Sequence, residues 1–473
     1  MPPQIATAIF AVGIAGLFLL DRDKSVHTSK ALWLPVTWLG IVGSRPVSGW
    51  LGIAPPAGLN TQLDGSPVDR LVFQLLLVAG IIVLIRRSSR TTAFLKASWP
   101  ILLYFSYCLL SVLWSDFPDV SFKRWIKAIG DLVMVLVVVT DAEPAAALRR
   151  LLSRTGFVLL PASILLIKYF GDLGRGYTPD GMPMNTGVTT NKNMLGVITL
   201  VLCLGAFWRV QTLFRAKGEP GRDRHLLAQC ILLAVGVAVL AMAQSATSLA
   251  CFALGSALML ATQFPAIKRR PGAVHALVLM IILAGGLTML LGGEAGVVHA
   301  LGRKTNFTGR TEIWAAVLPA VPNRMVGAGF ESFWIGPWLA RVYSGLSQYM
   351  HVNEAHNGYI EVYLNLGWVG VSLIAIILIS GYRRAVAALR RDPAMGSLML
   401  AYLAAAAVYS ITEAGFRLLD PIWIFLLLAI VAAGGIASGV IGGAPEPPGA
   451  PADQTADLLT AETDAPDHVW SDH

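Results

Sequence analysis

Apolar runs long enough to cross a bilayer dominate the chain. A helix needs about 20 mostly apolar residues to span the hydrocarbon, or somewhat fewer with polar flanks. Qualifying runs lie near 4–20, 68–85, 98–114, 125–142, 155–170, 193–208, 226–243, 246–264, 274–292, 358–381, 397–412 and 421–441. The pattern predicts an all-α polytopic membrane protein with about twelve transmembrane helices. A thirteenth segment, Ala31 to Gly43, is only thirteen residues long before Ser44-Arg45-Pro46; a short span and a segment lying in the interface both fit it. The first run lacks the basic leader and small-residue cleavage site of a signal peptide, so it is expected to remain as a span.

The polar stretches between the runs set the orientation. Those on one side, 86–97, 143–154, 209–225, 264–273 and 382–396, carry nineteen Lys or Arg in 66 residues. Their counterparts, 115–124, 171–192, 244–247, 293–357 and 413–420, carry ten in 109. The basic side is cytoplasmic by the positive-inside rule. That rule puts 293–357 in the periplasm and the C-terminus in the cytoplasm; the N-terminus is inside with twelve spans and outside with thirteen. The expected organisation is N-terminal helices over 1–292, a large periplasmic loop over 293–357 and C-terminal helices over 358–441. An acidic cytoplasmic tail over 442–473 is too poor in large apolar residues to offset its ordering entropy.

Composition excludes a soluble protein: 14% of residues are charged and 55% hydrophobic, against about 25% charged in soluble domains. The net charge is +8. Because the last thirty residues hold seven acids and no Lys or Arg, the basic excess of the body concerns orientation first. Cys108, Cys203, Cys230 and Cys251 all fall in apolar runs without ligand spacing, which suggests neither disulfides nor zinc. No metal, cofactor or nucleic acid is expected.

The candidate chemistry lies around the 65-residue loop. Loops of that length are usually functional or disordered, and this one holds Phe307, Trp314, Phe330, Phe333, Trp334, Trp338, Tyr343 and Tyr349, which predicts a folded cap. Ile313, Trp314, Val317 and Leu318 recur at helical spacing after Gly309-Arg310-Thr311. Five cations sit here, Arg303, Lys304, Arg310, Arg324 and Arg341; a guanidinium matches two phosphate oxygens and keeps its proton. Arg310 stands out because it opens the apparent helix. At the loop's end, His356 is expected at the start of a transmembrane helix, where unpaired N–H groups favour an anion. Asn357, Glu361 and Asn365 form a polar stripe below it. A carboxylate at membrane depth is a functional candidate, and a clamp between helices is the alternative.

The segment from His356 to Gly370 reads His-Asn, nine residues, Gly-x-x-Gly, and resembles the C-terminal signature of the O-antigen ligase and Wzy-type polymerase family. Gly309-Arg310-Thr311-Glu312-Ile313-Trp314 resembles that family's arginine motif. Trp314 stands where ligases commonly show Leu. With Ser44-Arg45-Pro46 and Asn191-Lys192-Asn193, it is more similar to the exopolysaccharide polymerase branch. The resemblance implies a GT-C-type transferase of the bacterial inner membrane that takes a glycan from undecaprenyl diphosphate at the periplasmic face, without a required metal. The acceptor would be a lipid A core sugar or a lipid-linked polymer, and the partners membrane lipid and polysaccharide assembly and export proteins. His356 would be the base, at an ordinary pKa of about 6.5, and Arg310 would hold the diphosphate, aided by Arg175 and Lys192 and by Asn357 and Glu361 as substrate-binding residues. Lys123, Arg124, Lys127 and Arg417 are further external cations. Lys127 with Asp131 one turn on reads as an intrahelical ion pair.

A transporter or flippase of the same lipid-linked glycan is the rival reading. Transporters place their sites at the midplane between matching halves, whereas this chain concentrates polar and aromatic residues in one loop. A non-catalytic scaffold gives no reason for the polar stripe.

Overall fold

A computed structural model describes residues 1–23, 26–53, 65–178, 181–216, 218, 221–264, 308–346 and 352–441, with scattered residues between 272 and 283. The long helices are α1 (Pro3–Leu20), α2 (Trp33–Val42), α3 (Pro67–Arg86), α4 (Ser88–Ala97), α5 (Trp99–Leu110), α6 (Pro118–Val139), α7 (Pro144–Tyr169), α8 (Lys192–Arg215), α9 (Arg222–Ala243) and α10 (Ala246–Ala261). They continue with α11 (Thr308–Ala320), α12 (Trp338–Ser344), α13 (Gly358–Arg391), α14 (Pro393–Tyr409) and α15 (Pro421–Ser438). A hairpin of β1 (Arg175–Tyr177) and β2 (Pro183–Asn185) pairs Gly176 with Met184. Helix is what the apolar runs require, since lipid offers no partner for backbone N–H and C=O groups.

Seven described helices, α1, α3, α7, α8, α9, α13 and α15, are long and apolar enough to cross a membrane. Helix α4 and the segment 99–114 add an eighth if counted as one span bent by 85°. Helices α10 and α14, and residues 30–42, are shorter apolar helices. Helix α6 is 22 residues long but carries Asp119, Lys123, Arg124, Lys127 and Asp131. Eleven of the twelve apolar runs thus coincide with helices or a bent helix pair; the run at 274–292 lies mostly outside the described residues, as do Arg303, Lys304, Phe307, Tyr349, His351 and the tail after 441.

The centre of the bundle is α15, where 89% of the apolar window is buried, while α1 and α3, at 11% and 22%, are peripheral. Contacts between distant stretches tie the helices together: Ser115 with Ser332 at 2.6 Å, Thr247 with Thr412 at 2.9 Å, and Asn185 Nδ2 on the Met242 carbonyl at 2.9 Å. Arg87 pairs with Asp141 at 3.2 Å, and Trp208 donates to the Ala394 carbonyl at 2.8 Å.

Residues 324–329 dock on α13 through a break in that helix. Gly367 has φ 63° and ψ −164°, a left-handed backbone that glycine adopts without steric cost. The break frees N–H and C=O groups that the loop takes up. Trp368 N donates to Arg324 O at 3.0 Å and Val369 N to Met325 O at 3.1 Å, while Ala328 N and Gly329 N donate to the carbonyls of Leu364 and Asn365. A Cβ at Gly367 would stand 2.2 Å from the Met325 backbone, and one at Gly370 2.3 Å from Leu366 Cβ. Gly367 is therefore what lets the loop lie against the helix backbone, while Gly370 leaves room for Leu366 and Val362 of its own helix across the break. Ile313 and Val317 of α11 bury beneath this loop with Phe333 and Leu364, whereas Leu318 faces outward.

Candidate active site

His356 lies in the turn before α13, at φ 48°, a left-handed conformation that costs a non-glycine residue roughly 1 kcal/mol or more. Asn357, not His356, caps the helix: its Oδ1 accepts from Tyr359 N and Ile360 N, each at 3.0 Å. Gly358 N donates to the Ser410 carbonyl at 2.7 Å, and Glu361 N to the Asn357 carbonyl at 2.9 Å. The N–H groups of Gly358, Tyr359, Ile360 and Glu361 all have partners, so these donors do not form the open anion site the sequence suggested. Anion binding here must come from side chains.

Those side chains converge on Glu413, in the connection between α14 and α15. Arg310 Nη2 donates to Glu413 Oε1 at 3.0 Å. Oε2 accepts from Asn193 Nδ2 at 3.1 Å and lies 3.4 Å from His356 Nδ1. His356 Nδ1 is also 3.0 Å from Glu354. Arg417 sits beyond Glu354, 3.5 Å from it and 3.5 Å from Glu331. Arg124, reaching in from α6, donates to the Glu331 backbone carbonyl. Six chain segments, at residues 124, 193, 310, 331, 354–356 and 413–417, therefore build one network of alternating charge.

The network sets the protonation of its members. Burial pulls the His356 pKa down, but hydrogen bonds and charge from Glu354 and Glu413 outweigh it and lift it to about 9. Burial likewise opposes ionisation of Glu354, yet His356, Arg417 and Arg310 hold its carboxyl below the ordinary value. Burial disfavours the Arg417 cation, and Glu331, Glu361 and Glu354 more than offset that, so its pKa is raised. At neutral pH His356 is therefore an imidazolium, where the sequence reading gave it an ordinary pKa and a base's role. Ligand atoms of Glu354, His356 and Glu413 lie within 4.8 Å of one another, a spacing that would admit a divalent cation. Arg310 and Arg417 already supply positive charge to those carboxylates.

Two cavities flank Arg417. One of about 240 Å³ is lined by Asn191, Asn193, Glu354, Glu413, Arg417 and Asp420. The other, about 180 Å³, is lined by Arg124, Glu331, Trp334, Tyr343, Asn353 and Arg417. A carboxylate-rich chamber and an aromatic one thus share a guanidinium.

The polar stripe on α13 fastens the loop. Trp334 Nε1 donates to Glu361 Oε2 at 2.8 Å, and Ala355 N donates to its other oxygen. Phe333 N donates to Asn365 Oδ1 at 3.1 Å, and Asn365 Nδ2 to the Glu361 carbonyl at 3.0 Å. Asn357 Nδ2 reaches the Ile411 carbonyl at 2.8 Å. Glu361 and Asn357 thus hold the wall beside the network, with the clamp joining helix to loop rather than helix to helix.

Arg175 lies apart from it, with Nε donating to the Ile167 carbonyl at 2.9 Å. Lys192 opens α8 between a capping Asn191, whose Oδ1 accepts from Met194 N at 2.8 Å, and Asn193, the member of that triplet that reaches Glu413. Arg45 of the Ser-Arg-Pro motif braces the loop before α8, donating to the carbonyls of Thr189 and Leu173. The Lys127–Asp131 pair does not form: Asp131 accepts from Trp38 Nε1 and Leu419 N, each at 2.9 Å, because these donors from α2 and the 410–420 segment are buried against it. Nothing in the sequence singles out Glu413, Glu354 or Asn193 as chemical groups; the sole signal for Asn193 is the motif around Lys192.

A helical membrane bundle thus carries a cationic and acidic cluster beside a docked loop. Residues 230–375 match the family described as O-antigen ligase; the matched stretch contains Arg310, His356 and the polar stripe but neither Glu413 nor Asn193. Over 290 residues the chain is 23% identical to the exopolysaccharide production protein ExoQ of Rhizobium meliloti (strain 1021). That match covers 58% of this chain and 62% of the relative, less than two thirds of its length. Both likenesses support the O-antigen ligase and Wzy-type family read from the histidine motif.

Proposed function

We propose that the protein is a glycosyltransferase of the bacterial inner membrane that takes a glycan from undecaprenyl diphosphate at the periplasmic face and joins it to a second glycan, extending a surface polysaccharide. The observation that carries this reading is the Arg310–Glu413–His356–Glu354–Arg417 network at the end of the bundle where the loop docks. In this topology the bundle has twelve spans, counting the run at 274–292, and its C-terminus is cytoplasmic. The likeness to an exopolysaccharide production protein favours polymerisation over ligation to lipid A core.

In the proposed step an acceptor hydroxyl oxygen attacks the anomeric carbon of the donor, and the bond from that carbon to the phosphate oxygen breaks. Undecaprenyl diphosphate leaves with the electron pair. Its new charge falls to Arg310, Arg417 and the His356 imidazolium, fixed cations that need no reorganisation as charge develops. The acceptor proton goes to the Glu354–His356–Glu413 group. With the imidazole protonated, that group carries one net negative charge, and uptake of a proton brings it to neutral; strongly coupled sites titrate as a unit. The cluster needs no nucleotide sugar, since the diphosphate is itself the leaving group.

Purified protein incubated with a lipid-linked repeat unit alone tests the reading. Long polymer is the expected product. A strict requirement for added lipid A core would make it a ligase, and absence of any transfer with both acceptors would refute the proposal.

A further inference from the structure

A cavity of about 660 Å³ opens between the end of α1 and the first half of α7, a volume within the usual range of small-ligand sites. Its two walls change character in the same direction. On α1, Phe18 and Leu19 are followed by Arg22 just past the helix end; on α7, Phe157 is preceded by Arg154 and Arg150 at successive turns of one face. Phe18 and Phe157 meet edge to face at 5.5 Å and close the apolar side. Helix α1 is peripheral, with only 11% of its apolar window buried, and Leu19 is 65% exposed. The cleft therefore has an apolar floor, a rim of three guanidiniums and an outer wall that faces lipid.

The rim arginines are employed differently. Arg150 folds the turn after α1, its Nη2 donating to the carbonyls of Asp23 and Val26 at 3.0 and 2.7 Å and its Nη1 to Thr28 Oγ1. Arg154 lies over the ring of Trp33, 4.4 Å from the centroid. That contact uses the face of the guanidinium and leaves its edge, where the N–H donors point. Among the described residues no carboxylate or carbonyl takes those donors, and the charge that bears on Arg154 is a second cation, Arg150. Asp21, on the same cavity, accepts from Gln229 Nε2 at 3.3 Å and lies 3.3 Å from His225 Nδ1. Asp23 lines it too, with its carbonyl on Arg150; the next two residues of the turn, Lys24 and Ser25, bring no acid. A half-buried cation beside lipid is costly unless an anion answers it.

We infer that the cleft between α1 and α7 binds an anionic glycerophospholipid. The edge of Arg154 takes two phosphate oxygens, the geometry in which a guanidinium holds phosphate most firmly, while Trp33 backs its face and Arg22 approaches from α1. The acyl chains lie over Leu19 and the outer surface of α1. A free phosphate would satisfy the arginines but leave the apolar floor and Leu19 without a partner, so the lipid is the occupant that fits both halves. None of these residues belongs to the His356 network, and the site is independent of the transfer chemistry.

Native mass spectrometry of the full-length protein, released from detergent containing phosphatidylglycerol or phosphatidylethanolamine of matched chains, tests it. The wild type should retain one phosphatidylglycerol about tenfold more tightly than the first phosphatidylethanolamine. Arg154→Gln should lose about tenfold of that affinity, the scale of one charged hydrogen bond. Arg154→Lys, which keeps the charge without the planar fork, should fall between the two. Arg22→Gln changes an exposed position and should weaken retention without disturbing the fold. Millimolar inorganic phosphate should leave the lipid in place; displacement would make the cleft a site for the free anion and overturn the inference. Equal retention of the two lipids by the wild type, or undiminished phosphatidylglycerol in Arg154→Gln, would overturn it as well.

Discussion

Arg310 and Glu413 meet at 3.0 Å although 103 residues separate them in the chain. The contact joins the first turn of the loop helix α11 to the connection between α14 and α15, and it fixes the carboxylate that also touches Asn193 and His356. Because Arg310 Nη2 takes one Glu413 oxygen while Asn193 and His356 share the other, Glu413 holds a single orientation.

Arg310→Lys keeps the charge but loses the planar fork, and Arg310→Gln loses both. Transfer should fall roughly 100-fold or more in either, the scale for removing one preorganised donor from a developing anion, with normal membrane insertion. Glu413→Gln should fall comparably. Turnover by each variant on a lipid-linked repeat measures this, and wild-type rates in Arg310→Lys would reduce Arg310 to a surface charge.

The pH dependence separates two roles for His356. An imidazolium that receives the leaving diphosphate predicts a plateau near neutrality and a fall in kcat/KM as pH rises through about 9. A neutral imidazole acting as base predicts a rise through that same pH. Stability should follow the first pattern as well. The folded pKa, about 9, lies above the ordinary histidine value of 6.5, so this group's contribution is fully present below about pH 6.5 and is lost as pH rises through about 9. His356→Gln should unfold at a temperature with less dependence on pH between 7 and 10.

How far these residues can be read from the chain depends on how local their roles are. Each apolar run announces a helix because lipid leaves the backbone no other partner, and Gly367 announces itself because a broken helix needs a left-handed residue. His356 and Arg310 stand in short motifs. Their partners do not: Glu413, Arg417 and Asn193 reach the site only through packing of α8, α14 and α15, which no spacing records. The helix-end anion site failed for a local reason that was available, since Asn357 is a strong capping residue. Lys192 carries the conspicuous charge of its motif, but Asn193 beside it is the residue that reaches Glu413.

Gly367→Ala should unfold the loop junction. The new Cβ would sit 2.2 Å from the Met325 backbone at φ 63°, and strain of that kind costs about 1–3 kcal/mol before the clash is counted. Fluorescence-detected size-exclusion after heating should show a large drop in melting temperature. Gly13→Ala, whose Cβ meets nothing within 4 Å, should be neutral.

Glu361→Gln exchanges a carboxylate that accepts two N–H groups, from Trp334 and Ala355, for an amide with only one acceptor oxygen. One N–H then faces a donor, a loss of about 1–3 kcal/mol at a buried site. Limited proteolysis should cut the 338–346 region faster in this variant, with donor binding reduced less than turnover. An unchanged cleavage rate would show that the clamp does not hold the loop.

The central claim is that the Arg310–Glu413–His356 network transfers a glycan away from a lipid diphosphate. Counting free undecaprenyl diphosphate released from a lipid-linked repeat, against glycosidic linkages formed, tests it most directly. One molecule released per linkage in the wild type, and almost none in a folded Arg310→Gln, is the predicted result. Linkages formed without that release, or undiminished release in the variant, would contradict it.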